Sequence, residues 1–166
     1  MGEEGQVVAL DYGSTSQVLA QALAARFERL TVVTNSIQNA LLLADKPGFT
    51  VILTGGVLSR DEHTLVNDFP TVILDYVHVD ILFLTVTGID PMAGFTDQRP
   101  GEISMQNQMR NAASRVSVVA DSSKFGRASL VRICPIHAVE AIITDGGVNP
   151  EQAAAVKNCG VRLILV

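Results

Sequence analysis

Short runs of β-branched and aliphatic residues alternate along the chain with stretches whose apolar positions recur every three to four residues. Gln6 to Asp11 reads as a buried strand that stops at a Gly-Ser-Thr turn, after which Leu19, Leu23 and Phe27 fall on one helical face. Leu30 to Val33 is a second strand. Thr34-Asn35-Ser36 then caps a helix carrying Ile37, Ala40, Leu41 and Ala44, closed by Lys46-Pro47-Gly48. Phe49 to Thr54 is a third strand, halted by Gly55-Gly56, and a looser polar stretch through His63 leads to a predicted helix over 67–76. The second half continues with strands at 79–84, 116–120, 129–133, 141–144 and 161–166 and helices at 102–111 and 150–158. Between 85 and 101 the pattern breaks into a long irregular segment with Gly88, Pro91, Gly94 and Pro100, a length that in compact domains marks a functional or mobile loop. Strands alternating with helices predict an α/β fold, a mostly parallel sheet with helices on both faces.

The 166 residues, 48% hydrophobic and 17% charged, suit one well-cored domain spanning 1–166, and they exclude disorder and a disulfide scaffold. Twelve basic against seventeen acidic residues leave a net charge of −5, so this segment offers no positive field for a nucleic-acid backbone. Without a basic n-region or an apolar run of about 18 residues, no membrane partner is expected, and the cytoplasm is the expected location. Cys134 and Cys159 read as ordinary thiols of a reducing compartment. His63, His78 and His137 are scattered, with no metal-ligand spacing, so neither a metal nor a cofactor is expected. No G-x-S-x-G elbow supports a hydrolase triad, and Met105 with Met109 reads as packing.

In an open parallel sheet, ligands gather beyond the carboxyl ends of the strands. Five polar loops follow predicted strands: 11–16, 34–36, 54–56, 85–90 and 121–124. Their Gly, Ser, Thr and Asn residues let backbone N–H groups approach an anion while hydroxyls and amides donate further hydrogen bonds, which suits a phosphate. In Asp11-Tyr12-Gly13-Ser14-Thr15-Ser16, Gly13 permits a tight turn and Ser14 and Thr15 open a helix. Ser14 is then either a plain helix cap or part of a phosphate cradle, and the four companion loops favour the cradle. The loop lacks both the nucleotide P-loop and the dinucleotide fingerprint. Lys124, one of three lysines, is either a solvated side chain or a point charge beside that phosphate. Asp11, Asp90 and Asp97 are candidate acceptors for sugar hydroxyls, although Asp11 equally suits orienting the glycine loop; Glu102 reads as a first-turn helix charge.

These loops resemble the carboxy-terminal effector-sensing domain of DeoR-type bacterial transcriptional regulators. The markers are Leu10-Asp-Tyr-Gly-Ser-Thr15, Val33-Thr-Asn-Ser36, Leu53-Thr-Gly-Gly56, Gly88-Ile-Asp90 with Gly94-Phe-Thr96, Ala120 to Gly126, and Ile143-Thr-Asp145. The resemblance implies a Rossmann-like fold shared with ribose-5-phosphate isomerase and coenzyme A transferases. It also implies a phosphorylated sugar or related metabolite as effector, and a homo-oligomer, dimer or tetramer. Operator DNA would be bound only through a winged helix-turn-helix domain absent from this chain. On this reading Gly13, Ser14 and Thr15 hold the phosphate, Lys124 neutralises it, and Asp11, Asn35, Ser36, Gly55, Gly56, Gly88 and Asp90 shape the site, with the 85–101 loop as the element that closes. Two departures sit near this site: Gln106 stands where the family often has Lys, and Thr85-Val-Thr87 replaces a commoner Ser-containing stretch. The rival is a sugar-phosphate isomerase using Asp90, Asp97 and Lys124. The paired-acid loop that such enzymes carry reads Thr87-Gly-Ile-Asp90 here, so no catalytic residue is assigned. A third reading is an oligomerisation domain with a vestigial pocket.

Overall fold

The computed structural model describes residues 3–66 and 72–166. Its first half runs β1 (Val7–Leu10), α1 (Ser14–Arg26), β2 (Leu30–Thr34), α2 (Ile37–Ala44) and β3 (Phe49–Leu53). A hairpin, β4 (Val57–Ser59) and β5 (Thr64–Val66), precedes α3 (Val72–Tyr76). The start of the helix expected over 67–76 lies outside the described residues. Then come β6 (Ile81–Leu84), β7 (Gly88–Asp90), β8 (Gly94–Asp97), α4 (Ile103–Ala112) and β9 (Val116–Val119). β10 (Val131–Cys134), β11 (Ala141–Thr144), α5 (Pro150–Asn158) and β12 (Arg162–Leu165) complete the chain.

Seven strands form one parallel sheet in the order β12-β11-β9-β6-β1-β2-β3. The chain builds outward from β1 through β2 to β3, then returns to the other side of β1 with β6 and continues outward again. Crossovers between parallel strands are right-handed as a rule, so this reversal puts the helices of the two halves on opposite faces. The packing agrees. Ala20, Leu23 and Phe27 of the α1 segment and Leu43 of α2 bury against Val8, Leu10 and Val32, whereas Leu74, Met105, Met109 and Val156 of α3, α4 and α5 join Ala9, Val33 and Leu82 on the other face. Met105 and Met109 are fully buried, and each such side chain stabilises the fold by about 1.5–3 kcal/mol.

Two sequence expectations are corrected. The segment over 85–101 is not an irregular loop: it folds into the antiparallel β7–β8 pair, with Ile89 and Phe95 fully buried. The strand expected at 129–133 does not join the parallel sheet but pairs antiparallel with β8 as β10, in a separate three-stranded sheet ordered β10-β8-β7. A bridge from Ile89 to Phe125 ties this hairpin to the loop after β9. The segment is therefore pinned by buried apolar side chains and strand pairing, and a freely closing loop is not what these residues make. The polar stretch before His63 is likewise structured, as the β4–β5 hairpin.

Candidate functional site

The reversal in strand order leaves a crevice between the carboxyl ends of β1 and β6, and a cavity of about 230 Å³ opens there. One wall is Gly13, Ser14 and Thr15 at the start of α1; Thr85, Val86 and Thr87 after β6 form another. Asp97 at the end of β8, with Gln98 and Arg99 after it, closes the far side, and Tyr12, Glu62 and Lys124 complete the lining. Two wider depressions lie elsewhere, beside His78 and beside His137.

Gly13 occupies the N-cap of α1 with φ 95°, and no side chain caps the helix. α2, by contrast, is capped by Ser36, whose Oγ accepts from Asn39 N at 3.2 Å, and α5 is capped by Asn149. Ser14 is therefore not a cap, and the first-turn amides of α1 face the cavity beside the Ser14 and Thr15 side chains. Thirteen residues of helix stand behind them, so partial positive charge collects where an anion would sit. Lys124 closes the short helical turn Ser122–Lys124 after β9, and its Nζ lies 3.5 Å from Asp121 Oδ2 with the side chain only one-third exposed.

Across the cavity, the guanidinium of Arg99 stacks over the Tyr12 ring at 5.5 Å, and its Nη1 donates to Tyr12 Oη at 3.2 Å. Tyr12 Oη in turn donates to Asp97 Oδ2 at 3.1 Å, and Arg99 N donates to Asp97 Oδ1 at 3.0 Å. Arg99 also pairs with Glu62 from the β4–β5 turn. Burial and then the neighbouring carboxylates push the Tyr12 phenol well above its ordinary range, so it stays protonated as a donor. The cavity thus pairs two cations, Lys124 and Arg99, with two carboxylates, Glu62 and Asp97. It can bind an anion at the α1 end and accept hydroxyl donors at the other.

Of the residues expected from the sequence, Gly13, Ser14, Thr15, Asp97 and Lys124 meet here. The others do not line the cavity. Asn35 and Ser36 are fully buried, the latter used as the α2 cap. Gly55 and Gly56 turn the chain out of β3 with φ 80° and 127°. Gly88 is in β7, where a Cβ would meet Thr96 Oγ1 at 2.5 Å and the Arg127 carbonyl at 2.6 Å. Asp90 holds the β7–β8 turn, its Oδ1 accepting from Met92 N and Ala93 N.

Asp11 lies beneath the cavity floor with no exposed surface. Its Oδ2 accepts from Gln106 Nε2 at 2.9 Å and Thr85 N at 3.2 Å and lies 3.0 Å from Thr85 Oγ1. Its backbone carbonyl accepts from Ser16 Oγ and Asn39 Nδ2. It braces the glycine loop, one of its two sequence readings. The sequence reading did not single out Tyr12, Glu62, Gln98 or Arg99, although Tyr12 lies inside the glycine-loop marker. Among the described residues, no group of three or more His, Cys, Asp or Glu is placed to hold a metal, and no helix is long and apolar enough to cross a membrane.

Residues 1–146 match the family model of the DeoR C-terminal sensor domain. The chain is 32% identical over 161 residues to the HTH-type transcriptional regulator GlpR of Haloferax volcanii, covering 97% of this chain and 62% of that protein. It is 31% identical over 162 residues to the HTH-type transcriptional repressor GlcR of Bacillus subtilis (98% and 62%) and 29% identical over 147 residues to the HTH-type transcriptional regulator GolR of Listeria innocua (89% and 58%). The chain spans about three-fifths of the length of these relatives. Among solved structures it is similar to a D-ribose-5-phosphate isomerase in complex with phospho-erythronic acid, at TM-score 0.54 and 18% identity over 75% of this chain and 48% of that one. A second likeness is to ribose 5-phosphate isomerase A of Neisseria gonorrhoeae, at TM-score 0.51 and 17% identity over 74% and 47%. At these identities the likeness is one of fold. With the sensor-domain match running from the first strand to the end of β11, this chain belongs to the DeoR family of transcriptional regulators as its C-terminal sensor domain.

Proposed function

We propose that this domain binds a phosphorylated sugar or related metabolite in the crevice between β1 and β6, and that occupancy modulates DNA binding by a winged helix-turn-helix domain in a cytoplasmic homo-oligomeric regulator. The observation that carries the reading is the start of α1: a helix N-terminus without a side-chain cap, at the topological switch point, with Gly13, Ser14 and Thr15 on the wall and Lys124 at the rim. The phosphate takes the α1 end. The sugar hydroxyls face Asp97, Thr85 and Thr87, and Arg99 with Tyr12 closes the far side. The relatives' names support a role in transcription regulation, and regulation requires the effector to favour one conformation over another.

Thermal shift against a panel of sugar phosphates tests this. A ligand at about 100 times its Kd raises stability by roughly 2.7 kcal/mol, and the Ser14→Ala, Lys124→Ala double variant loses the shift. A panel flat at all concentrations, inorganic phosphate included, would leave the oligomerisation reading in its place. The isomerase fold of the structural neighbours prompts a second assay, aldose–ketose phosphate interconversion. Asp90 is spent on a hairpin turn, and both oxygens of Asp97 are engaged by Tyr12 and Arg99 N, so no turnover is expected.

A further inference from the structure

Directly under the cavity floor, four polar side chains that the site does not use come together. Leu10 pairs with Thr34 in the sheet, so the next residues, Asp11 and Asn35, leave adjacent strands side by side. Ala9 and Val33, two residues earlier on each strand, both pack on the α4 face, so Asp11 and Asn35 share that face. Gln106 reaches Asp11 from α4, and Glu102 stands one helical turn before Gln106, accepting from Thr64 Oγ1 at 2.8 Å. All four are at most 2% exposed. Asp11 Oδ1, Glu102 Oε2, Gln106 Oε1 and both amide atoms of Asn35 have no hydrogen-bond partner among the described residues.

Among the described residues, neither acid touches a cation. Asp11 is met by Thr85, Gln106 and the neighbouring backbone, and Glu102 by Thr64. The charged groups that act on Glu102 are Asp11, Asp97 from β8 and Arg99 from the turn before α4, the latter already paired with Glu62. Around Glu102, three buried carboxylates counting its own, with Asp11 and Asp97, thus stand against one partly exposed guanidinium that Glu62 already holds. Water-deprived charges in that ratio are relieved by neutralising one of them. The amide of Gln106 suits this, because by turning over it can donate to an ionised Asp11 or accept from a protonated one.

On the reading that the crevice takes an anion, we infer that the effector enters together with a proton, which the buried Asp11–Gln106–Glu102 cluster takes up from solvent. Asp11 is two residues from Gly13, so a phosphate at the α1 N-terminus adds negative charge above acids that already carry too much. Burial has pushed Asp11 up to about 6 and, with the charge of Asp11 as a further contribution, Glu102 up to about 7. A nearby anion raises both further. Affinity is therefore highest below about pH 6 and falls as pH rises through about 7.

Sulfate is the probe, since phosphate itself titrates near pH 6. Isothermal titration of the whole chain from pH 5.5 to 8.5 should show the sulfate Kd weakening about three- to tenfold, with net proton uptake in buffers of different ionisation enthalpy. The Asp11→Asn, Glu102→Gln double variant should bind with a flat pH profile. His63→Gln, which removes the histidine of the β4–β5 turn, should keep the slope. Carboxyl ¹³C NMR of the ligand-free chain supplies a readout independent of binding, in which at least one of the two acids titrates above pH 5.5. Sulfate that binds without pH dependence overturns the proton linkage and leaves the anion site standing. Sulfate that fails to bind at any pH overturns the anion site, and the linkage falls with it. Both carboxyls ionised by pH 5 overturn the inference outright.

Discussion

Gly13 and Gly88 lack a side chain for different physical reasons, and their alanine variants should fail differently. At Gly13 nothing stands within 4 Å of an added Cβ, but φ is +95°, so Gly13→Ala strains only the backbone. A loss of about 1–2 kcal/mol in urea denaturation is expected, together with weaker phosphate binding as the loop shifts. At Gly88 the backbone is ordinary, but a Cβ would lie 2.6 Å from the Arg127 carbonyl. Gly88→Ala should therefore cost about 1–3 kcal/mol by overpacking and part the β7–β8 hairpin from the segment before β10, with little direct effect on the α1 end. Residue identity alone did not distinguish these two cases. Gly13 was legible as the turn glycine of a strand-to-helix loop because a strand precedes it and a helix follows. Gly88 and Asp90 sit in an equally suggestive loop, yet their work is hairpin geometry, which depends on β8 and β10 pairing across more than thirty residues of sequence. Arg99, Tyr12 and Glu62 escaped the sequence reading for the same reason: three distant segments bring them together, and no local spacing records it.

Among elements, the two helices that follow β1 and β2 show how similar signals diverge. Both begin after a strand, at Gly-Ser-Thr in one case and Thr-Asn-Ser in the other. In α2 the serine hydroxyl takes up a first-turn amide, so its N-terminus is closed; Ser36→Ala should cost about 1 kcal/mol of stability and leave ligand-induced thermal shifts intact. In α1 glycine occupies the cap and the amides stay open. The alternation of strand and helix was legible throughout because each buried strand is a continuous apolar run and each helix keeps an apolar stripe. The β4–β5 and β7–β8 hairpins were not, since their short strands mix polar or glycine positions with apolar ones and form no apolar run. Their consequence for the site is large, as they supply the Glu62 and Asp97–Arg99 side of the cavity.

For the whole molecule, the buried acids predict how stability varies with pH. The folded state binds protons on Asp11 and Glu102 more tightly than the unfolded chain, whose carboxyls titrate at the ordinary 3.8 and 4.5. This contribution is fully present below about pH 4 and is lost as pH rises through about 6 to 7, amounting to a few kcal/mol for the pair. Asp121 and Asp145 act in the opposite sense. Hydrogen bonds from Ser123 in one case, and from Ser122 and Gly147 in the other, hold them below the usual carboxylate range, so their contribution disappears on acidification below about 4. Urea midpoints measured from pH 3 to 8.5 should accordingly peak near pH 5. The Asp11→Asn variant should exceed the parent at pH 8, where the parent buries a charge and the amide does not. A midpoint that climbs steadily to pH 8 would contradict this.

The chain contains two tyrosines and no tryptophan. One phenol, Tyr76, is 82% exposed; the other, Tyr12, is buried against the cavity beneath a guanidinium. A Tyr76→Phe variant would thus carry a single tyrosine, built into the crevice by the protein itself. Any guest that draws Arg99 off the ring would announce itself as a change in tyrosine absorbance and emission, with no dye attached.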